Sequence, residues 1–146
     1  RRIIFYRDGV AHSQFKMVHD HEVAAIERAC EAVGLTAQIV FIVVQKRNHC
    51  RLFHQTANLA VENALPGTVV DSVITTASQF DFYMCSHFGL KGTSRPTHYH
   101  VLCDDLALRS DDLQRFTFDL CHIYARCTKI ASRPAPLYSA RRTHDP

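Results

Sequence analysis

Charged side chains follow two apolar runs of this sequence, in positions that suit the binding of a ligand such as a polyanion. Asp8-Gly9 follows the first run, so a turn there would hold a carboxylate at the end of a rigid strand. The seven residues 45–51, after the second run, contain three permanent cations, Lys46, Arg47 and Arg51. If the runs are neighbouring parallel strands, both groups lie at the carboxyl edge of one sheet, where open α/β folds bind ligands.

Simpler interpretations stay open for each group, because Asp-Gly is a common turn sequence and a run of cations is often a solvated surface. A third segment, 89–96, combines two glycines with the cations Lys91 and Arg95. Its backbone amides and the Arg95 guanidinium could hold phosphate oxygens. Each signal is weak alone, but together they favour a polyanion-binding edge.

Histidines and cysteines suggest a second chemistry, metal binding. His98 and His100 would share one face of a strand, with Cys103 nearby. Two imidazoles do not complete a coordination sphere, and the six cysteines include no Cys-x-x-Cys pair, so we expect neither a zinc ribbon nor a thioredoxin-type site. Most of the cysteines lie in apolar segments, as buried free thiols do in a reducing compartment.

The hydrophobic pattern predicts the elements that position these residues. A short strand buried on both faces ends at Asp8, a helix covers about 14–33, and a second buried strand covers 38–44, which together form a right-handed βαβ unit. Further strands are predicted at 80–87 and 97–103, and a helix from 110 to about 128. We expect an irregular loop at 54–67, and no helix near Pro134 and Pro136.

Length and composition agree with one globular domain. The chain has 146 residues, 47% of them hydrophobic, and a formal net charge of +3. No apolar run approaches the roughly 20 residues of a membrane span, so we expect no membrane partner. Because the chain begins with Arg1-Arg2 and runs straight into a strand, we expect a piece of a longer protein with part of its sheet missing.

Six blocks of the chain, in order, resemble the second half of the PIWI domain of eukaryotic Argonaute proteins. They are IIFYRDGV (3–10), FIVVQKR (41–47), FDFY (80–83), CSH (85–87), GTSRPTHYHVL (92–102) and LCHIYARCT (120–128). The resemblance covers 2–140 and leaves 141–146 as a divergent tail. It implies an α/β fold of the ribonuclease-H-like type, a mixed sheet flanked by helices, incomplete because the chain is a fragment.

The resemblance implies a metal-ligand role for Asp8. Slicing relatives cut target RNA with two Mg²⁺ ions held by Asp, Glu, Asp and a fourth His or Asp, and Asp8 matches the third of these. The first two acids would lie upstream of Arg1, and Arg141 stands at the fourth position. A guanidinium has no free lone pair and repels metal ions, so we expect Arg141 to oppose slicing.

The resemblance also implies a binding site for the phosphates of a small guide RNA. The matching residues carry a positive charge, an imidazole or a hydroxyl, and they are Lys46, Arg47, Arg51, His87, Arg95, Tyr124, Arg126, Ser132 and Tyr138. Cations neutralise phosphates, and hydroxyls fix the register without reading bases. Sequence would then be read by pairing between the guide and its target.

Two functions follow from the resemblance, and whether the protein is an enzyme stays open between them. The first is RNA-guided silencing by a protein that binds a guide and a complementary target RNA without cutting, in the cytoplasm or also in the nucleus. The second is a Mg²⁺-dependent, guide-directed endoribonuclease. Gly-Trp-rich silencing proteins are an implied partner, although segment 31–38 is shorter than its counterpart and lacks the aromatic residue found there.

Overall fold

A mixed sheet organises the molecule, of which the computed structural model describes residues 1–89 and 91–140. Its strands are β1 (Arg2–Asp8), β2 (Gln38–Gln45), β5 (Thr68–Val70), β6 (Asp81–Cys85) and β7 (Thr97–Asp104), and a separate hairpin contains β3 (Phe53–Gln55) and β4 (Val61–Asn63). The order in the five-stranded sheet is β1-β2-β7-β6-β5. β1 and β2 are parallel, and the other neighbours are antiparallel.

Helices cover both faces of this sheet. The chain between β1 and β2 is helical from His12 to Ala32, in the order 3₁₀ turn (His12–Gln14), α1 (Phe15–Val18), π-helical turn (His19–Val23) and α2 (Ala24–Ala32). The opposite face carries α3 (Ser110–Leu120) and α4 (Ala135–Ala140). Among the described residues, no helix combines the length and the apolar character that crossing a membrane requires.

β2 is the centre of the core, because all six residues 39–44 are buried. Ile39, Phe41 and Val43 pack with apolar residues of α1 and the π-helical turn. Their alternate neighbours pack with Leu113 of α3 and Leu137 of α4. The prediction that β2 is buried on both faces is therefore confirmed. A strand covered on both faces needs apolar side chains on both, which explains its near-continuous apolar sequence.

The predicted βαβ unit is present, but β1 is not buried on both faces as predicted. It is the edge strand of the described sheet, with Tyr6 as its one buried residue. The Phe5 ring is 40% exposed and stacks on Phe41 of β2, with ring centroids 5.0 Å apart. An edge strand has one neighbour where a central strand has two, so part of its apolar surface stays uncovered.

Three further predictions were wrong in detail. Segment 54–67 is not wholly irregular, because it contains β4 and the end of β3. α3 ends at Leu120, since the Cys121 carbonyl accepts a hydrogen bond from Ala131 N at 2.9 Å and the helix does not continue. α4 forms despite the two prolines, because Pro134 precedes it and Pro136 lies in its first turn, where a helix has no use for the missing N–H.

Candidate nucleic-acid interface

Asp8 lies at the carboxyl edge of the sheet, as predicted. It is the last residue of β1 and pairs with Val44 of β2. The turn after it passes close to β2, because a Cβ at Gly9 would lie 3.3 Å from the Val44 carbonyl oxygen. Gln45 Nε2 donates to the Val10 carbonyl at 2.6 Å and fixes the same turn. The Asp8 carboxylate is therefore held by two packed strands.

Arg133 contacts this carboxylate and was not among the predicted residues. Its Nη1 lies 3.0 Å from Asp8 Oδ1 and 3.1 Å from Oδ2, and only 15% of the Arg133 side chain is exposed. The guanidinium carbon lies 5.0 Å from the centre of the Tyr138 ring. Burial opposes the Arg133 charge, but Tyr138 and the Asp8 carboxylate raise its pKa. The one sequence feature that could have drawn attention to Arg133 is its place directly before Pro134.

Among the described residues, the surroundings of Asp8 do not fit the Mg²⁺ ions that the resemblance implies. Mg²⁺ is usually bound by one or two carboxylates together with waters and substrate phosphates, so it needs a carboxylate oxygen that is open to it, and both oxygens of Asp8 face Arg133. Asp8 opens onto a cleft of about 650 Å³, where it is the one carboxylate among the described lining residues, beside the cations Lys46, Arg47 and Arg133. The predicted fourth ligand position, Arg141, lies outside the described residues.

Lys46 connects this cleft with a second one. It follows β2, and its Nζ donates to the Arg95 carbonyl at 2.7 Å. Lys46 lines both clefts. The pKa of Lys46 is lowered to about 8, mainly by burial, with Cys85 opposing the shift and the charges of Arg133 and Arg95 adding to it. Lys46 is thus a cation held with few counter-charges, which suits the binding of an anion.

The second cleft has a volume of about 640 Å³ and a strongly cationic lining. Its lining includes four cations and an imidazole, namely Lys46, Lys91, Arg95, Lys129 and His87. Burial and the nearby Lys46 charge lower the pKa of His87, so this ring is neutral at pH 7. Ser94 shapes one wall, because its Oγ accepts from Gly89 N at 3.1 Å and its N donates to Asn63 Oδ1 at 2.9 Å.

The other predicted guide-binding residues occupy separate places. Tyr124 stacks on Tyr138 with ring centroids 4.7 Å apart, and the Tyr138 hydroxyl lies 3.2 Å from Ser132 Oγ. Arg126 borders a smaller cavity of about 290 Å³ together with Tyr124. The Arg51 guanidinium turns back onto its own loop. There its Nη1 donates to the Asn48 and Cys50 carbonyls at 3.1 and 2.5 Å.

A buried group of ligand-type side chains lies elsewhere on the sheet. The donor atoms of Asp81, His98 and His100 are all within 4.8 Å of one another, an arrangement that could hold a metal ion. His98 Nε2 lies 2.6 Å from Asp81 Oδ2, and His100 Nδ1 has no hydrogen-bond partner among the described residues. Cys103 is not a member, since its Sγ approaches the Ile39 carbonyl and Asp105 instead.

Comparison with known proteins places the chain in a family. The Piwi domain model matches residues 1–144. The chain is 50% identical over 144 residues to protein argonaute 12 of Oryza sativa subsp. japonica, and 52% identical over 140 residues to protein argonaute 7 of Arabidopsis thaliana. Each alignment covers 95% of this chain and 14% of the relative, so the chain spans a small part of these proteins.

Solved structures of Argonaute proteins support the same family assignment. The C-terminal lobe of a budding yeast Argonaute has a TM-score of 0.86 at 33% identity, covering 96% of this chain and 31% of that one. The Kluyveromyces polysporus Argonaute, solved with a guide RNA, has a TM-score of 0.85 at 33% identity, covering 96% of this chain and 19% of that one. The ribonuclease-H-like mixed sheet flanked by helices is confirmed by these neighbours. The chain belongs to the Piwi domain family, and its predicted resemblance to eukaryotic Argonaute proteins is confirmed.

Proposed function

We propose that the chain is the part of an RNA-guided silencing protein that binds the phosphate backbone of a small guide RNA and the guide–target duplex, without cutting the target. The observation that carries the proposal is the position of Lys46, which joins two clefts lined by cations. The guide RNA in the Kluyveromyces polysporus structure supports it, because that protein shares this fold over 96% of the chain.

The geometry suits recognition of a backbone. Lys46 and Arg95 converge on one cleft, and Lys46 and Arg47 on the other, so a strand that crosses Lys46 would meet cations on both sides. Such contacts neutralise phosphates, release counterions and carry no base information. A guide held in this way leaves its base edges to pair with a target RNA, which supplies the specificity.

The test is guide binding by the full-length protein that contains this chain. Fluorescence anisotropy with labelled small RNAs of several sequences, over a range of salt concentrations, compares the unmodified protein with Arg47→Ala and Arg95→Ala. We expect each variant to weaken binding of every guide by a similar factor and to reduce the salt dependence by about one phosphate contact. Arg115→Ala, at an exposed position of α3, is the matched control. A loss that depends on guide sequence would contradict the proposal.

The second candidate function is a Mg²⁺-dependent, guide-directed endoribonuclease. It is favoured by the position of Asp8 at the carboxyl edge and opposed by the contact with Arg133. The test is a cleavage assay of the guide-loaded, full-length protein on a complementary labelled RNA in Mg²⁺, with Asp8→Ala and Arg141→His. Cleavage by the unmodified protein that is lost in Asp8→Ala would establish the enzyme. Binding without cleavage would support the first function.

Partners and location form the remaining part of the proposal. A complementary target RNA follows from the guide. Gly-Trp-rich silencing proteins are less well supported, because the described segment 31–38 presents exposed Val33 and Leu35 but no aromatic ring. We place the protein in the cytoplasm, with the nucleus as a second location, and fractionation of cells that express it would test this. Co-precipitation with Gly-Trp peptides would test the partner.

A further inference from the structure

We propose that the guanidinium of Arg133 pairs with the Asp8 carboxylate and excludes divalent metal ions from it. The cleft at the end of β1 then holds an RNA phosphate on the protein's own cations. The inference deepens the proposed function, on which its RNA part rests. The exclusion of metal rests on the contact of Arg133 Nη1 with both Asp8 oxygens, at 3.0 and 3.1 Å.

Arg133 is held in place by its surroundings. It lies two residues before the start of α4, and its guanidinium stands over the ring of Tyr138 of that helix. Tyr138 in turn stacks on Tyr124, and its hydroxyl lies 3.2 Å from Ser132 Oγ. With 15% of its side chain exposed, Arg133 has little room to turn toward solvent. The guanidinium is therefore a fixed part of the cleft wall.

A divalent ion would have to displace this contact. Both Asp8 carboxylate oxygens face Arg133 Nη1, and Oδ1 also accepts from Gly9 N at 3.1 Å. Arg133 Nε is already buried with no hydrogen-bond partner among the described residues. A displaced Arg133 would leave a second part of its guanidinium unpaired, and this is costly because only 15% of the Arg133 side chain is exposed. A metal ion left beside it would also be repelled.

The same charges favour a phosphate in the cleft. The charge of Asp8 is neutralised by Arg133. Lys46 and Arg47 also line the cleft, and no described ion pair joins either of them to a carboxylate. The described lining therefore has an excess of positive charge. An RNA phosphate fits this environment directly, because guanidinium and ammonium groups are its usual protein ligands.

The experiment measures Mn²⁺ bound to the full-length protein by electron paramagnetic resonance, with Mn²⁺ as the probe and no RNA present. Four proteins are compared: unmodified, Asp8→Asn, Arg133→Ile and the double variant. We expect Asp8→Asn to bind as much Mn²⁺ as the unmodified protein. Arg133→Ile should gain an Mn²⁺ site at least about tenfold tighter, from removal of a like charge, and the double variant should lose the gain. Arg115→Ile, at an exposed position, should gain nothing.

Two results would overturn the inference. One is a loss of bound Mn²⁺ in Asp8→Asn relative to the unmodified protein, which would show Asp8 already to be a metal ligand. This comparison needs no Arg133 variant and stands even if Arg133→Ile does not fold. The other is a folded Arg133→Ile with no gain. Guide binding is measured on the same samples in the presence of excess chelator. A failure to bind guide under these conditions would count against the proposed function. The role of Arg133 is decided separately, by the Mn²⁺ measurement.

Discussion

Lys46 Nζ donates a hydrogen bond to the Arg95 carbonyl at 2.7 Å, which joins two cationic segments that lie 49 residues apart in the chain. A second bond, from Asn48 Nδ2 to the Pro96 carbonyl at 3.0 Å, supports the same junction. The loop after β2 and the loop before β7 therefore form one surface. Its shape is set by side-chain to backbone bonds, and Arg95 is part of the cleft lining.

Guide binding should weaken as the pH rises through the pKa of Lys46. Burial lowers that pKa to about 8, so Lys46 is charged at about pH 7 and largely neutral at about pH 9. Loss of one phosphate contact should reduce guide affinity by about tenfold over this range. Bound phosphate favours the charged form, so proton uptake on binding should also be measurable near pH 8 by calorimetry in buffers of different ionisation enthalpy.

The control for this prediction is Lys46→Arg, which keeps its charge at every pH used. The guide affinity of Lys46→Arg should not change between about pH 7 and about pH 9. Any pH dependence that the Arg115→Ala protein also shows is subtracted first. An equal pH dependence in the Lys46→Arg and unmodified proteins would show that another group is responsible.

Local sequence was enough to predict β1, β2, β6 and β7, and the sheet edge at which the charged residues after β1 and β2 lie. The apolar run 39–44 has only one stable place, the centre of a covered sheet, and the charges after it must then fall at the sheet edge. Asp8 followed from the same reasoning, because a parallel partner strand ends at the same edge. Periodicity and turn residues determine these features, so no long-range contact had to be known.

What could not be predicted depends on contacts between distant residues. Arg133 reaches Asp8 across 125 positions of the sequence, and no local pattern reports such a pair. Arg51 was assigned to guide binding by the family resemblance, and no local pattern indicates that its guanidinium donates to carbonyls of its own loop. The end of α3 was misplaced for a similar reason, since the bond from Ala131 N to the Cys121 carbonyl is tertiary.

Arg51→Ala should weaken guide binding less than Arg95→Ala does. Arg51 Nη1 donates hydrogen bonds to the Asn48 and Cys50 carbonyls, and Arg51 lines neither of the two cationic clefts. Its removal should loosen the loop 46–51, which hydrogen exchange of the loop amides would detect as faster exchange. Anisotropy titrations of both variants at one salt concentration make the comparison. If Arg51→Ala were the more damaging change, Arg51 would have to turn outward when RNA binds.

Thr117→Val should destabilise the contact between β1 and α3. Thr117 Oγ1 donates its one proton to the Leu113 carbonyl at 2.7 Å, so Tyr6 must be the donor in the 2.9 Å bond between their hydroxyls. Valine would leave the Tyr6 hydroxyl buried without an acceptor, at a cost of about 1–3 kcal/mol. Hydrogen exchange of β1 and α3 amides in the full-length protein measures this. Adding Tyr6→Phe should recover part of the loss, and independent, additive losses would argue against the bond.

Stability should fall as the pH drops from about 6.5 toward about 4, because the pKa of His100 is lowered from 6.5 to about 4. Burial is the main cause, with the His98 and His12 rings adding to it and Asp81 opposing it. The unfolded chain binds a proton in this window that the folded chain does not, so stability is full above the window and is lost on acidification. Melting temperatures of the full-length protein across these pH values test this, and His100→Gln should show a shallower decline. An unchanged slope in His100→Gln would assign the acid sensitivity to other groups, with His98 the next to examine because burial lowers its pKa as well.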